Sequence, residues 1–208
     1  MLKELSVEQF VHEVASSSPA PGGGSIAALA GAQAAGLLSM YCSLSQNRAK
    51  LGDVVDLLQQ TGEEARFLKT KLLEAIDDDT IAFNQVMDAY RLPKDSEEEK
   101  ADRSKAIQAA AQNAADVPLQ TARGSLRVLS IIGEVAAKGN PTAITDLGVA
   151  NLQAMTGLIG ACYNVRINLN IIADKHKIEE FNSEISEIMN HGQELFEKNR
   201  ILIEKEIN

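Results

Sequence analysis

The sequence predicts an all-α fold, a bundle of long antiparallel helices packed as a homo-oligomer. Along most of the chain, apolar residues recur at the 3.6-residue period of an amphipathic helix. No stretch of useful length alternates between apolar and polar residues as a half-buried strand does. Aromatic residues make up only 4% of the 208 residues, and Trp is absent. Alanine and leucine must therefore fill the core, which favours closely spaced helices over a β-sandwich.

The first two helices follow from capping and small-residue patterns. Ser6 is predicted to cap a short helix, with Gln9 completing a capping-box pattern. The second helix is predicted from about Ser25 to Gln46. The small residues on one of its faces are Ala28, Gly31, Ala32, Ala35 and Gly36. Such a face lets another backbone approach closely, and the partner is either a packed helix or a second subunit.

The middle of the chain predicts two further long helical segments. The third helix is expected over residues 53–91, where Pro93 stops it. Residues 94–100 are predicted to form a charged turn and helix start. The helical pattern then runs over 101–138, and Pro118 either kinks this segment or begins a new helix. Helices of this length exceed what a compact monomer of this size needs, which favours a homo-oligomer.

A clear boundary follows at residues 139–141. Gly139 is typical of the position after a helix, Asn140 of an N-cap and Pro141 of a first turn. The next helix is predicted over residues 142–173, and a last amphipathic helix from about residue 177. Residues 1–208 are accordingly predicted to form one domain.

Composition and charge exclude several classes of function. The net charge of −9 argues against binding to nucleic acid or to an anionic membrane surface. The N-terminus has no signal-like apolar core, and no run of about 18 apolar residues is expected to span a membrane. Cys42 and Cys162 lack CxxC spacing, which predicts buried, reduced thiols and a cytoplasmic location. The three histidines have no partner at ligand spacing, so no metal site is expected.

The segment Pro19–Ser25, with the sequence PAPGGGS, is the most distinctive motif in the chain. Its two prolines fix the backbone, and its three glycines then allow a tight turn or a close approach to a ligand. Ser25 is predicted to cap the helix that follows. Amide N–H groups at such a helix start can face an anion or an oxygen. Alternatively, the glycines only let this helix begin against a neighbouring helix.

Asp79 lies within an apolar stripe of the third helix. At intervals of seven residues, this stripe contains Ala65, Leu72, Asp79 and Val86. Asp77 and Asp78 project away from the stripe. A carboxylate on a packing face is costly unless it is hydrogen-bonded or paired. Asp79 is therefore either a candidate general acid or base in a cleft, or a structural N-cap or salt bridge to another helix.

Asparagines interrupt a second apolar face, on the helix after the boundary. Asn164 and Asn168 are one turn apart among Ala and Gly residues, and Asp146 lies near the start of the same helix, close to Asn140. Such asparagines can bridge helices, and they can equally read the donor and acceptor edge of a heterocycle. Basic residues at predicted helix ends are either solvated or available to bind an anion: Arg48, Lys50, Arg91 and Lys94.

Taken in order, several segments resemble the cyclodeaminase/cyclohydrolase family of folate enzymes. They are Pro19–Ser25, Asp77–Phe83 with Arg91–Lys94, Val117–Leu119, Gly139–Asn140 with Thr145–Leu147, and Asn164–Leu169. Thr145 departs mildly from the Ser expected before the Asp. The resemblance implies an all-helical dimer or dimer of dimers that binds tetrahydrofolate derivatives near a subunit interface. It also implies cyclodeaminase or cyclohydrolase activity without a metal or redox cofactor, because only proton transfers at a tetrahedral carbon are needed.

The resemblance also suggests roles for individual residues. Asp79 would be the general acid/base, and Asp146 and Asn164 would orient the pterin or the reacting carbon. A basic residue would receive the glutamate tail. The expected substrate-binding residues are Pro21, Gly22, Gly23, Gly24, Ser25, Asn140, Asp146, Asn164, Arg48 and Lys94. A separate formiminotransferase polypeptide would be a partner of a cyclodeaminase, and the alternative is a non-catalytic helical protein that binds folate or only oligomerises.

Overall fold

The computed structural model describes residues 1–46 and 52–207, and in these ranges every regular element is a helix. Two short helices come first, a 3₁₀ turn at Leu2–Glu4 and α1 at Val7–Val14. Five long elements follow, interrupted once by a 3₁₀ turn at Pro141–Ala143. They are α2 (Gly23–Gln46), α3 (Gly52–Arg91), α4 (Glu97–Val135), α5 (Ile144–Leu169) and α6 (Lys175–Ile207). The all-α prediction is confirmed.

Each long helix runs antiparallel to the one that follows it in the chain. In α2 and α3, for example, Gly24 faces Asp79 while Cys42 faces Gly62, so opposite ends meet. The central helix α2 packs against α3, α4 and α5, and α6 closes the bundle against α4 and α5. One continuous core joins side chains from all five helices. Its largest members include Leu38, Tyr41, Leu58, Leu129, Ile132, Leu147, Leu158 and Ile185. The predicted antiparallel bundle is confirmed.

Capping boxes start two of the helices. Ser6 accepts a hydrogen bond from the N–H of Gln9 at 3.2 Å, and Gln9 Oε1 accepts from the N–H of Ser6 at 3.0 Å, as predicted. Ser96 and Glu99 form the same box at the start of α4. The turn and helix start predicted in this charged segment are confirmed, since α4 begins at Glu97 and three glutamates in its first turn favour the helix N-terminus.

Two predicted boundaries differ from those in the structure. Ser25 is not the cap of α2, because the helix already begins at Gly23 and the carbonyl of Gly22 accepts from the N–H of Ile26. Gly139 does not end α4 in a left-handed conformation, since α4 ends at Val135 and no described glycine has positive φ. Asn140 does cap the next element as predicted, accepting from the N–H of Thr142 at 3.1 Å.

Helices α2 and α5 approach each other through glycine and alanine. A Cβ on Gly157 would lie 2.9 Å from both the carbonyl oxygen of Ala27 and the amide nitrogen of Gly31. A Cβ on Gly160 would lie 3.1 Å from the Cβ of Ala27. The sequence left two partners open for the small-residue face of α2, and the structure places a helix of the same chain against its Gly31 side.

The prediction that no segment could span a membrane requires a correction. By length and composition α2 is apolar enough to do so, although 61% of its most apolar window is buried inside the bundle. Burial of this kind is typical of a core helix, and α2 carries no charged residue because helices surround it. Cys42 and Cys162 are both buried and free, as predicted.

Replacing Gly157 tests the α2–α5 contact. Gly157→Ala places a methyl group against the α2 backbone, so we expect a loss of about 1–3 kcal/mol in the free energy of unfolding, as overpacked sites show. Urea denaturation monitored by circular dichroism measures this loss. The matched control is Gly148→Ala on the same helix, where the new Cβ meets only Ile203 at 3.5 Å. An equal effect of the two substitutions would contradict this account.

Candidate active site

A cleft of about 370 Å³ lies between the Pro19–Ser25 loop, α3, α4 and α5. Three polar side chains line it, those of Asp79, Asn164 and Asn168. The remaining wall is mostly apolar and comes from residues that include Phe83, Val86, Met87, Tyr90, Ile167 and Ile171. An apolar pocket with a few convergent polar groups is typical of a small-molecule site.

Asp79 projects from α3 onto the first turn of α2. Its Oδ2 accepts a hydrogen bond from the Ser25 hydroxyl at 3.0 Å, and the backbone N–H of Ser25 also faces the carboxylate. A Cβ on Gly24 would overlap Oδ1 of Asp79, so only glycine leaves room for the carboxylate there. Since Gly22 precedes the helix and has no side chain, Asp79 supplies the acceptor that a capping side chain would otherwise supply.

Two opposing effects set the pKa of Asp79. Burial raises the pKa, because a low-dielectric environment disfavours the charged carboxylate. Hydrogen bonds from the Ser25 hydroxyl and N–H lower it, but burial is the largest effect and the pKa is raised overall. A half-buried carboxyl group with a raised pKa is a candidate to exchange a proton with a bound molecule.

The neighbouring aspartates point elsewhere, as the helical spacing predicted. Asp77 is buried beneath the N-terminal segment, where its Oδ1 accepts from the N–H of Leu2 at 2.6 Å and Lys3 lies 4.0 Å away. Asp78 is exposed. Of these three consecutive carboxyl groups, only that of Asp79 lines the cleft.

The two asparagines of α5 serve different purposes. Asn164 Nδ2 donates to the carbonyl of Gly160 at 2.8 Å, and its side chain lies against Gly23, where a Cβ would be 3.2 Å away. Asn168 Nδ2 donates across to the carbonyl of Ala114 in α4 at 2.6 Å. Asn168 therefore bridges helices, whereas Asn164 joins the glycine loop at the cleft.

The bridge from Asn168 explains how α4 continues through Pro118 without a break. A residue at position 118 would normally donate its N–H to the carbonyl of Ala114, four residues earlier, but proline has no N–H. Asn168, which lies on α5, donates to this carbonyl in place of the missing N–H. The prediction that Pro118 begins a new helix is wrong, because α4 is continuous from Glu97 to Val135, whereas a kink at Pro118 stays a prediction.

Asp146 and Asn140 lie at the far end of the bundle. Asp146 precedes Asn164 by 18 residues of continuous helix, which at 1.5 Å per residue is about 27 Å. Asn140 donates its N–H to Ser45, near the end of α2 opposite to Gly23. Within one chain the structure therefore does not bring these two residues to Asp79 or Asn164, since helical spacing predicts a shared face but not a shared height.

Lys94 is exposed in the connection between α3 and α4 and lines a groove with Lys100 and Arg103. This groove shares Tyr90 and Ile171 with the Asp79 cleft, so the two are adjacent. Arg103 donates to the carbonyl of Tyr90 at 3.0 and 3.2 Å, and its guanidinium lies 5.6 Å from the Tyr90 ring.

Sequence reasoning named Lys94 but missed Lys100 and Arg103. Their signal was a spacing of three residues at the start of a helix. The other predicted basic residues, Arg48 and Lys50, lie outside the described residues.

An all-helical fold with an apolar cleft and a few polar side chains is typical of a protein that binds a small molecule. The family model described as formiminotransferase-cyclodeaminase matches residues 6–187. The chain belongs to this family.

Three relatives illustrate its range. A methenyltetrahydrofolate cyclohydrolase of Methylorubrum extorquens is 39% identical over 203 residues, which cover 98% of each chain. The formimidoyltransferase-cyclodeaminase of Mus musculus is 32% identical over 92% of this chain, but only 36% of the mouse protein is covered. The crystal structure of a formiminotetrahydrofolate cyclodeaminase from Thermotoga maritima superposes with a TM-score of 0.88 and 25% identity, covering 100% of both chains.

The Pro118–Asn168 pair gives a prediction for the wall of the cleft. Asn168→Ala leaves the Ala114 carbonyl without its donor, so we expect the free energy of unfolding to fall by about 1–3 kcal/mol. In a Pro118→Ala background the helix regains its own N–H donor. Asn168→Ala should then lower the free energy of unfolding by clearly less. A double-mutant cycle by chemical denaturation measures this coupling. Additive effects of the two substitutions would exclude it.

Proposed function

We propose that this protein is an enzyme of tetrahydrofolate one-carbon metabolism, in which Asp79 is the general acid/base. The observation that carries the proposal is the half-buried Asp79 carboxyl group in the cleft beside the glycine loop, in a chain of this family. The preferred reaction is the interconversion of 5,10-methenyltetrahydrofolate and 10-formyltetrahydrofolate. The full-length similarity to a methenyltetrahydrofolate cyclohydrolase supports this preference.

The hydrolytic reaction requires a base and then an acid at one position. Ionised Asp79 takes a proton from a water molecule while the water oxygen attacks the methenyl carbon. The product of this step is a tetrahedral intermediate. The same group, now protonated, donates to N5 as the carbon–N5 bond breaks, and the hydroxyl of the intermediate loses its proton to solvent water, which leaves the formyl group on N10. A carboxyl group whose pKa is raised by burial suits both steps, because it holds the proton more readily than an exposed carboxylate does.

Cyclodeamination is the second candidate, supported by the fold similarity to a formiminotetrahydrofolate cyclodeaminase. Here N10 attacks the formimino carbon of 5-formiminotetrahydrofolate and its proton passes to the formimino nitrogen. Asp79 then protonates that nitrogen as its bond to carbon breaks and ammonia leaves. A separate formiminotransferase would supply the substrate. Neither reaction transfers electrons, and proton transfers by the protein suffice, so we propose no metal or redox cofactor.

The apolar walls of the cleft suit a flat heterocycle, and Asn164 lies where its amide could orient the pterin or the reacting carbon. The rival function, a non-catalytic helical protein, would pair Asp79 with a basic residue and leave no cleft beside the loop. Among the described residues, the groups that act on the Asp79 carboxyl besides its burial are the hydroxyl and N–H of Ser25. The geometry therefore favours the enzyme.

The outer face of α5 bears on the assembly of the protein. We propose a homo-oligomer, at least a dimer, in the cytoplasm. Its support is the exposed apolar side chains on the outer face of α5, such as Leu152, Tyr163 and Ile167, which are 57%, 59% and 62% exposed. Ile167 also lines the cleft, so a subunit on this face would lie close to a bound substrate.

The groove of Lys94, Lys100 and Arg103 is the proposed site for the glutamate tail of the substrate. The three cations lie next to the cleft in a chain whose net charge is −9, so they form a local site of opposite sign. Lys100 is also paired with Glu97 at 2.7 Å, which leaves Lys94 and Arg103 as the main contacts for a carboxylate.

Replacing the carboxylic acid tests the function. We expect Asp79→Asn to lower kcat by about 10²–10⁴-fold, because a general acid/base contributes about that factor. The assay follows methenyltetrahydrofolate absorbance with 5-formimino-, methenyl- and 10-formyltetrahydrofolate offered separately. Near-wild-type turnover of Asp79→Asn would end the assignment of Asp79. Silence of the wild-type protein on all three substrates would favour the non-catalytic alternative.

Asp79→Asn also predicts a change in how stability depends on pH. Because the pKa of Asp79 is higher in the folded than in the unfolded protein, the folded state holds this proton more tightly. Wild-type stability therefore decreases as pH rises from the unfolded-state pKa through the folded-state pKa. Asp79→Asn removes this dependence, so its denaturation midpoint should fall less than that of the wild type over the same window.

Tail binding is tested with substrates of different glutamate length. We expect Lys94→Gln to raise KM for a polyglutamylated substrate by up to about fivefold at low salt, the range of an exposed ion pair, while kcat is unchanged. The KM for a monoglutamate should change less. The control is Lys105→Gln, an exposed lysine of α4 that faces Asp102 at 3.6 Å and does not line the groove. Equal effects of both variants would show a general charge effect.

A further inference from the structure

The hydroxyl of Ser25 has one proton and more than one acceptor. Ser25 is completely buried, and its Oγ lies 2.9 Å from the carbonyl oxygen of Ile76 and 3.0 Å from Oδ2 of Asp79. The hydroxyl of Thr80 is 3.4 Å away. All three partners belong to α3, so Ser25 connects the first turn of α2 to this part of α3.

The Ile76 carbonyl does not depend on Ser25. It lies inside the continuous helix α3, where it already accepts from the N–H of Thr80, four residues later. The carboxylate of Asp79, in contrast, is a stronger acceptor when it is ionised. The Ser25 proton can therefore turn toward Asp79 or toward Ile76 at little cost to the helix.

The two oxygens of Asp79 have different surroundings. Oδ2 accepts from the Ser25 hydroxyl, whereas Oδ1 lies against Gly24, which itself lines the cleft. Hydrogen bonding thus commits Oδ2 to the protein. Oδ1 lies beside the cleft-lining Gly24 and is therefore the oxygen placed to meet a substrate, while the N–H of Ser25 also bonds the carboxylate.

We propose that Ser25 is a positioning residue for the reaction of Asp79. Its hydroxyl holds Oδ2, leaves Oδ1 to exchange the proton with the substrate, and turns toward the Ile76 carbonyl when Asp79 is protonated. No covalent bond of Ser25 is made or broken, because its hydroxyl only rotates. The inference rests on the proposed function of Asp79 and replaces the direct substrate contact that the sequence suggested for Ser25.

Among the described residues, Ser25 supplies the hydrogen bonds that act on the Asp79 carboxyl group, so loss of its hydroxyl should shift the titration of that group. On the α2 side, Ser25 and Gly24 contact the Asp79 carboxyl group, and α2 contains no charged residue. From α5, the neutral side chains of Asn164 and Asn168 line the same cleft. On α3 itself, Asp77 is held by Leu2 and Lys3, and Asp78 is exposed.

The experiment uses Ser25→Ala, which removes the hydroxyl and leaves the helix intact. We expect kcat to fall about tenfold with KM within twofold of the wild type. The limb of the pH–activity profile that reports Asp79 should move up by about one pH unit, because the ionised carboxylate loses a donor. Without substrate, the ¹³C carboxyl resonance of Asp79, assigned with Asp79→Asn, should titrate at a correspondingly higher pH.

The control is Ser125→Ala in α4. Ser125 is also completely buried, but among the described residues its hydroxyl has no hydrogen-bond partner, so its loss should change neither profile nor titration. An active wild type with an unmoved profile and titration in Ser25→Ala would overturn the role of Ser25 and leave the proposed function standing. A wild-type protein inactive on all three folates would overturn both, and the resonance would then report only a structural hydrogen bond.

Discussion

The close approach of α2 and α5 is the constraint on which the rest of the structure depends. Gly157 lies so near Ala27 and Gly31 that the two backbones are in contact, and no larger side chain fits between them. Because the helices are antiparallel, this contact also places Gly23 against Asn164 at one end. The wall of the cleft is therefore a consequence of backbone packing rather than of a flexible loop.

The start of α2 combines stability with chemistry. A helix N-terminus needs acceptors for its first N–H groups, and α2 begins after a glycine that has no side chain. Asp79 supplies that acceptor from α3, and its burial there raises its pKa. A serine in place of Gly22 could cap the helix locally, but the carboxyl group would then have no structural reason to lie at the cleft. The same packing thus gives the helix its cap and the cleft its acid.

The sequence predicted the candidate site in part. Asp79 and Asn164 stood out because each is polar on an otherwise apolar stripe, and both line the cleft. Asp146 was named because it lies near the start of the same helix and because of the resemblance, but it lies about 27 Å from Asn164 along α5, since a shared helix does not mean a shared position along it. Lys100 and Arg103 carried only the weak signal of a three-residue spacing at the start of a helix, and it is the turn between α3 and α4 that brings them beside Tyr90.

By itself, the sequence determined the helical class, the antiparallel order, the capping box at Ser6 and the membership in a family of folate enzymes. Apolar period, caps and motif order are local properties of a chain, so they can be read without coordinates. Only the tertiary structure decided that Asn168 replaces the donor that Pro118 lacks, and that Ser25 lies inside the helix and holds Asp79. Those contacts join residues more than 50 positions apart, and their partners are chosen by how the helices pack.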